Sequence, residues 1–124
     1  MAYSGWELAG SDRDRLLSMI APAYPDVIAH HVTAELGDLT TLATPDEVEA
    51  EIIGFADDGL GVQALIVRIN GSVERPIGGT YHITWSIDRE AGRKPVDSNK
   101  VIAECGWTPF AVGWKVNMEP KVFR

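Results

Sequence analysis

The run from Ala50 to Gly71, AEIIGFADDGLGVQALIVRING, constrains the fold more than any other part of the chain. Two apolar segments rich in Ile and Val flank an Asp58-Gly59 turn signal, the pattern of a β-hairpin. A hairpin commits its strands to antiparallel pairing, so the other elements must be arranged around an antiparallel sheet. Downstream, Thr80 to Ile87 reads as another strand, set off by the punctuation RPIGG. TPFAVGWKVNM, residues 108 to 118, alternates, with Phe110, Val112, Trp114 and Val116 on one face of a half-buried strand. A further strand is expected from Ile28 to Leu36.

The helix signals are shorter. Ser11 stands where it can cap a helix, with Asp14 at the capping-box position and Leu16, Leu17 and Ile20 along one side. Pro22 and Pro25 should end it. Thr44, Pro45 and Glu47 form a second start signal, for a short helix over 45 to 49. PVDSNKVIAECG reads as a third helix, capped by Asp97 or Ser98 and stopped by Gly106. About five strands with two or three short helices predict an α+β domain: a largely antiparallel sheet with the helices packed on its outer face. A chain of 124 residues suits one such domain over 1–124.

The formal net charge of -7 argues against broad nucleic-acid binding, whose affinity comes mainly from cationic contacts to phosphate. It leaves room for a small phosphorylated ligand or an RNA end held by a local basic cluster, such as Arg89, Arg93 and Lys94. No apolar run approaches the roughly 20 residues that span a bilayer. The stretch MAYSGWELAGSDRDR lacks the apolar core of a secretory signal. Cys105 is the one cysteine, which excludes an intrachain disulfide and fits a reducing, cytoplasmic setting.

Against this background the chain places two of its three histidines in matching tetrapeptides, His31-Val32-Thr33-Ala34 and His82-Ile83-Thr84-Trp85. Side chains alternate faces along a strand. His31 and Thr33 then share one face, and so do His82 and Thr84, while Val32, Ala34, Ile83 and Trp85 turn to a core. Two imidazoles and two hydroxyls facing a groove suit phosphoester chemistry. A neutral imidazole takes a proton from the attacking oxygen and a protonated one gives a proton to the leaving oxygen. The hydroxyls donate to non-bridging phosphate oxygens, where charge builds up. The scheme requires neither metal nor cofactor. His30 is expected on the opposite face, as a partly buried structural histidine, and adjacent strand histidines do not share a metal.

The twin motifs resemble those of the 2H phosphoesterase superfamily, defined by two His-apolar-Thr/Ser-apolar strands. The resemblance implies a compact member with a sheet-walled cleft, His31 and His82 as the acid/base pair, and Thr33 and Thr84 as phosphate binders. It implies hydrolysis of a 2′,3′-cyclic phosphate on a nucleotide or an RNA end. The alternatives are hydrolysis of a cyclic oligonucleotide signal, a nucleotide or RNA-end binding module without turnover, and a structural domain in which the motifs are coincidence. Arg93 and Lys94 are candidates to neutralise the phosphate. Ser98 or Asn99 lies within reach of the second motif, and Tyr24 and Trp107 are loop aromatics suited to stacking on a base. The motifs are alike, so the sequence does not distinguish acid from base. Geometry discriminates among the readings: both imidazoles must converge on one groove.

Overall fold

The hairpin forms as the sequence demands and lies inside the sheet. In the computed structural model, which describes residues 2–124, β4 is Ala50–Asp57 and β5 is Val62–Ile69. They pair antiparallel from Ala50–Ile69 to Asp57–Gln63. The turn between them is held by Asp58, whose Oδ1 accepts from the backbone N–H groups of Leu60 (2.8 Å) and Val62 (3.2 Å).

Around this hairpin lie β1 (Ala2–Leu8), α1 (Gly10–Met19), β2 (Asp26–Val27), β3 (His31–Gly37), β6 (His82–Ile87), α2 (Asp97–Cys105), β7 (Thr108–Val116) and β8 (Met118–Phe123). The strands form one curled, eight-stranded antiparallel sheet in the order β7-β4-β5-β6-β3-β1-β8, with β2 also pairing β6. The α+β architecture is as expected, with more strands. β1 and β8 were not foreseen. β1 buries Ala2, Ser4, Trp6 and Leu8 on one face, but Ser4 and Gly5 dilute its strand character. β8 carries Pro120 and β7 carries Pro109. Both strands are sheet edges, where a missing N–H breaks no inner ladder.

The two helices pack on opposite faces rather than on one outer face. The reason is β5, VQALIVRI, which is apolar on both sides. Leu65, Val67 and Ile69 join Leu16 of α1, together with Val32, Ile83 and Trp85. Val62, Ala64 and Ile66 join Val101 and Ile102 of α2.

Several local expectations need correction. Ser11 lies inside α1, whose cap residue is Ala9 and has no side-chain cap bond. Asp12 works there instead, accepting from the Asn117 backbone N–H at 2.7 Å and so tying α1 to the β7–β8 turn. Residues 45 to 49 form no helix. Their backbone is spent on other partners: the Asp46 carbonyl accepts from Trp6 Nε1 (2.9 Å), and Glu49 N–H donates to Asn70 Oδ1 (2.9 Å). The cap residue of α2 is Val96, while Gly106 ends the helix as read, with φ of 71°. β7 loses its alternation because Ile52 faces Trp114 while Gly54 faces Pro109, so residues 110 to 113 bulge and Val112 is exposed. The strand expected from Ile28 starts at His31, since Ala29 turns the chain with φ of 46°. Among the described residues no helix is long and apolar enough to cross a membrane.

Candidate active site

The first motif lies on β3 and the second on β6, and these strands are neighbours. Val32 pairs with Ile83, and both are fully buried on the α1 face. The tetrapeptides therefore run antiparallel past each other at that pair. Beyond it the register shifts, and the Thr84 carbonyl accepts from the Ala29 N–H (3.0 Å). All four side chains line one cavity of about 270 Å³ on the α2 side, with Tyr3, Arg75 and Asn99 on its walls.

His31 is packed against aromatic rings. Tyr3 stacks on it at 5.0 Å between centroids and Phe123 lies at 5.1 Å. Burial lowers its pKa to about 4, with further lowering from His30 and His82. Its Nδ1 is 3.0 Å from Nδ1 of His30, and its Nε2 has no protein partner among the described residues. His30 does not point away from His31 as period-two alternation required. It precedes β3, after the left-handed Ala29, where alternation no longer applies.

His82 is buried, and its Nδ1 lies 2.8 Å from the Thr80 carbonyl. A carbonyl only accepts, so Nδ1 carries the proton and Nε2 is the free nitrogen. Burial lowers the His82 pKa, the Thr80 carbonyl opposes that, and Arg75 adds to the lowering.

The two threonines are not equivalent. Thr33 has no hydrogen-bond partner among the described residues, so its hydroxyl is available to a ligand. Thr84 Oγ1 contacts the Pro95 carbonyl at 3.1 Å and Ser98 Oγ at 2.8 Å. With Ser98 donating to Thr84 and Thr84 donating to Pro95, both protons are used. Thr84 then offers the cavity a lone pair, and Ser98, fully buried, serves Thr84.

The basic residue at the cavity is Arg75, which the sequence reading passed over. It sits in the RPIGG turn before β6, where only its position ahead of the second motif could have pointed to it. Its Nε donates to the Gly78 carbonyl (2.9 Å) and its Nη2 to Asn99 Oδ1 (2.8 Å), which orients the guanidinium and leaves N–H groups spare. Arg93 is engaged elsewhere, against Asp58 at 2.7 Å, Asp97 at 3.6 Å and the Leu60 carbonyl at 2.9 Å. Lys94 does not line the cavity either. Of the helix-start pair, Asn99 lines the cavity and Ser98 does not. Tyr24 is hydrogen-bonded to Asp57 and does not line the cavity, and Trp107 lines an adjoining cavity of about 260 Å³ that shares His82 and Asn99 with it. Trp85 is a core residue, as expected, and so is Tyr81.

Among the described residues no carboxylate lines the cavity, although the chain carries a net charge of -7. The site thus combines two imidazoles, whose free Nε2 atoms can accept a proton, with one guanidinium and a free hydroxyl that can donate to an oxyanion. Compared with family models, curated proteins and solved structures, the chain matches none at a significant level.

Proposed function

We propose that the protein is a phosphodiesterase of the 2H type, hydrolysing a 2′,3′-cyclic phosphate on a nucleotide or an RNA end. The observation that carries this is the convergence of His31 and His82 on one carboxylate-free cavity beside Arg75 and Thr33. Arg75 and Thr33 hold the non-bridging oxygens. Water attacks phosphorus while a histidine Nε2 takes its proton. The bond from phosphorus to the 2′ or 3′ oxygen breaks, and the other histidine gives that oxygen a proton.

The surroundings support His31 as the base. It is held neutral with an unpartnered Nε2. For His82 as the acid, burial and Arg75 lower its pKa, and the Thr80 carbonyl and a bound phosphate anion work against that lowering. The imidazoles supply the proton transfers themselves, so activity is expected to resist EDTA.

The test is turnover of 2′,3′-cyclic nucleotides, short RNAs ending in cyclic phosphate, and cyclic oligonucleotides, with excess EDTA. Wild type, His31→Ala and His82→Ala are compared. EDTA-resistant turnover of cyclic phosphates, lost in both variants, is expected. Turnover confined to cyclic oligonucleotides would replace the substrate. Binding without turnover would leave a nucleotide-binding module, and neither would remove the enzyme reading.

A further inference from the structure

The sequence doublet His30-His31 does more in the fold than supply one acid/base residue. Glu7 Oε1 lies 2.9 Å from His30 Nε2, and His30 Nδ1 lies 3.0 Å from His31 Nδ1. Three side chains thus form an unbroken line from the protein surface to the cavity. Lys121 closes the outer end, with Nζ at 2.7 Å from Glu7 Oε2.

The hydrogens in this line can be assigned. Lys121 and His30 hold the Glu7 carboxyl below its ordinary pKa, so it is a carboxylate and only accepts. His30 Nε2 must therefore carry a proton. With no extra proton on the pair, His30 Nδ1 is a lone pair, and the bond between the rings exists only if His31 Nδ1 donates. That leaves His31 Nε2 unprotonated and facing the cavity. The lone pair on His30 Nδ1 is what selects this tautomer of His31.

We propose that Glu7, His30 and His31 form a proton relay in which His30 fixes the base tautomer of His31 and takes over its positive charge. The step balances. When His31 Nε2 gains a proton from the attacking oxygen, the proton on His31 Nδ1 passes to His30 Nδ1. His31 is again neutral, now protonated at Nε2. His30 becomes an imidazolium, its Nε2–H directed at Glu7. After product leaves, His31 Nε2 gives its proton to solvent, His30 Nδ1 returns its proton to His31 Nδ1, and His82 Nε2 is reprotonated from solvent. The relay rests on the reading of His31 as the base, and it removes a difficulty in that reading. An imidazole enclosed by Tyr3 and Phe123 accepts a charge poorly, but a charge relocated to His30 sits beside a carboxylate at the surface.

The fold builds this placement deliberately. His30 O accepts from Leu8 N–H (2.9 Å), which anchors it to β1. The left-handed Ala29 is pinned by its N–H to the Thr84 carbonyl (3.0 Å) and by its carbonyl from Arg13 Nε (2.8 Å). The groups facing the pair are Tyr3 and Glu7 from β1, Lys121 from β8 with Glu119 behind it, His82 from β6, and Arg75 ahead of β6. Glu7 is the carboxylate among them that touches an imidazole.

Histidine tautomers are read directly by long-range proton–nitrogen NMR correlation on labelled protein at alkaline pH. The expected spectrum shows His31 protonated at Nδ1, His30 at Nε2, and His82 at Nδ1 as an internal reference. In His30→Phe, which keeps the ring against Phe123, His31 should shift toward the Nε2-protonated form while His82 is unchanged. His31 protonated at Nε2 in wild type would overturn the relay without any variant, as would a tautomer indifferent to His30→Phe. On a cyclic-phosphate substrate, His30→Phe should lower kcat by roughly a hundredfold, the low end of what a positioned base supplies, with KM little changed. Its acid limb should also be displaced, and Glu7→Gln should move the same limb. A wild type that turns over nothing would count against the enzyme reading alone, since the spectrum still decides the relay.

Discussion

Enclosing His31 should make the fold sensitive to mild acid, and the effect can be isolated with one substitution. Above the ordinary histidine pKa of 6.5 the ring is neutral in both folded and unfolded chains, and it contributes nothing to pH dependence. Below 6.5 the unfolded chain takes up a proton, while the folded chain resists until its own pKa of about 4. Stability is therefore lost as pH falls through that window. The full difference between 6.5 and about 4 corresponds to about 3 kcal/mol, of which about 2 kcal/mol is lost by pH 5. His31→Phe keeps an aromatic ring between Tyr3 and Phe123 and removes the titration. Glu7, Asp38 and Asp58 are held below their ordinary values, so they also cost stability as acid is added, but they are common to both proteins. Urea unfolding at pH 7.5, 6 and 5 should show the difference between wild type and variant moving by about 2 kcal/mol in favour of the variant. A difference that stays constant across that range would refute the account of His31 as an enclosed, neutral imidazole.

Gly5 stands at the β1–β3 irregularity, where a Cβ would lie 2.0 Å from the Val32 carbonyl oxygen; Gly5→Ala should cost about 2–3 kcal/mol or more in urea unfolding, because backbone rather than a side chain must yield. Thr84→Val keeps the shape but leaves the buried Ser98 Oγ without its partner, while the Pro95 carbonyl keeps the Ser98 N–H, so a loss of about 1–3 kcal/mol is expected. Arg75→Met should weaken binding of cyclic-phosphate nucleotides at least about tenfold at low salt and flatten the salt dependence, as read by calorimetric titration. Arg93→Met should lower Tm by unpairing Asp58, whose side chain is 8% exposed, and leave turnover per folded molecule unchanged.

Much of this site was legible because the strand period is a strict constraint. The two tetrapeptides needed only alternation to put His31 with Thr33 and His82 with Thr84 on one side, and Val32, Ile83 and Trp85 in the core. What sequence could not supply was the pairing of β3 with β6, which depends on a crossover between distant segments. Arg75 was passed over for the same reason: its part in the cavity depends on how the RPIGG turn folds back toward Asn99. Arg93 and Lys94 were nearer the second motif in sequence, but Asp58, contributed by the hairpin turn, draws Arg93 away. His30 was misplaced because alternation was applied across Ala29, a residue without the freedom of glycine that nevertheless turns left-handed.

On the proposed reading, that same turn accounts for how like motifs would take unlike roles. The matching tetrapeptides by themselves would make His31 and His82 interchangeable. The neighbours break the symmetry. Nδ1 of His82 meets a backbone carbonyl, an acceptor that holds its proton in every state of the reaction and favours the imidazolium. Nδ1 of His31 meets another imidazole, an acceptor that can keep the proton it receives. A fixed acceptor suits a group that must arrive charged and leave neutral; a titratable one suits a group that must arrive neutral and shed charge. The asymmetry has a further consequence for the reverse direction. If a cyclic phosphate were re-formed from its opened product, His31 would have to donate from Nε2, and it could do so only with the relay proton parked on His30. Removing His30 should therefore impair both directions, whereas a His82 left with the Thr80 carbonyl keeps its tautomer in either one.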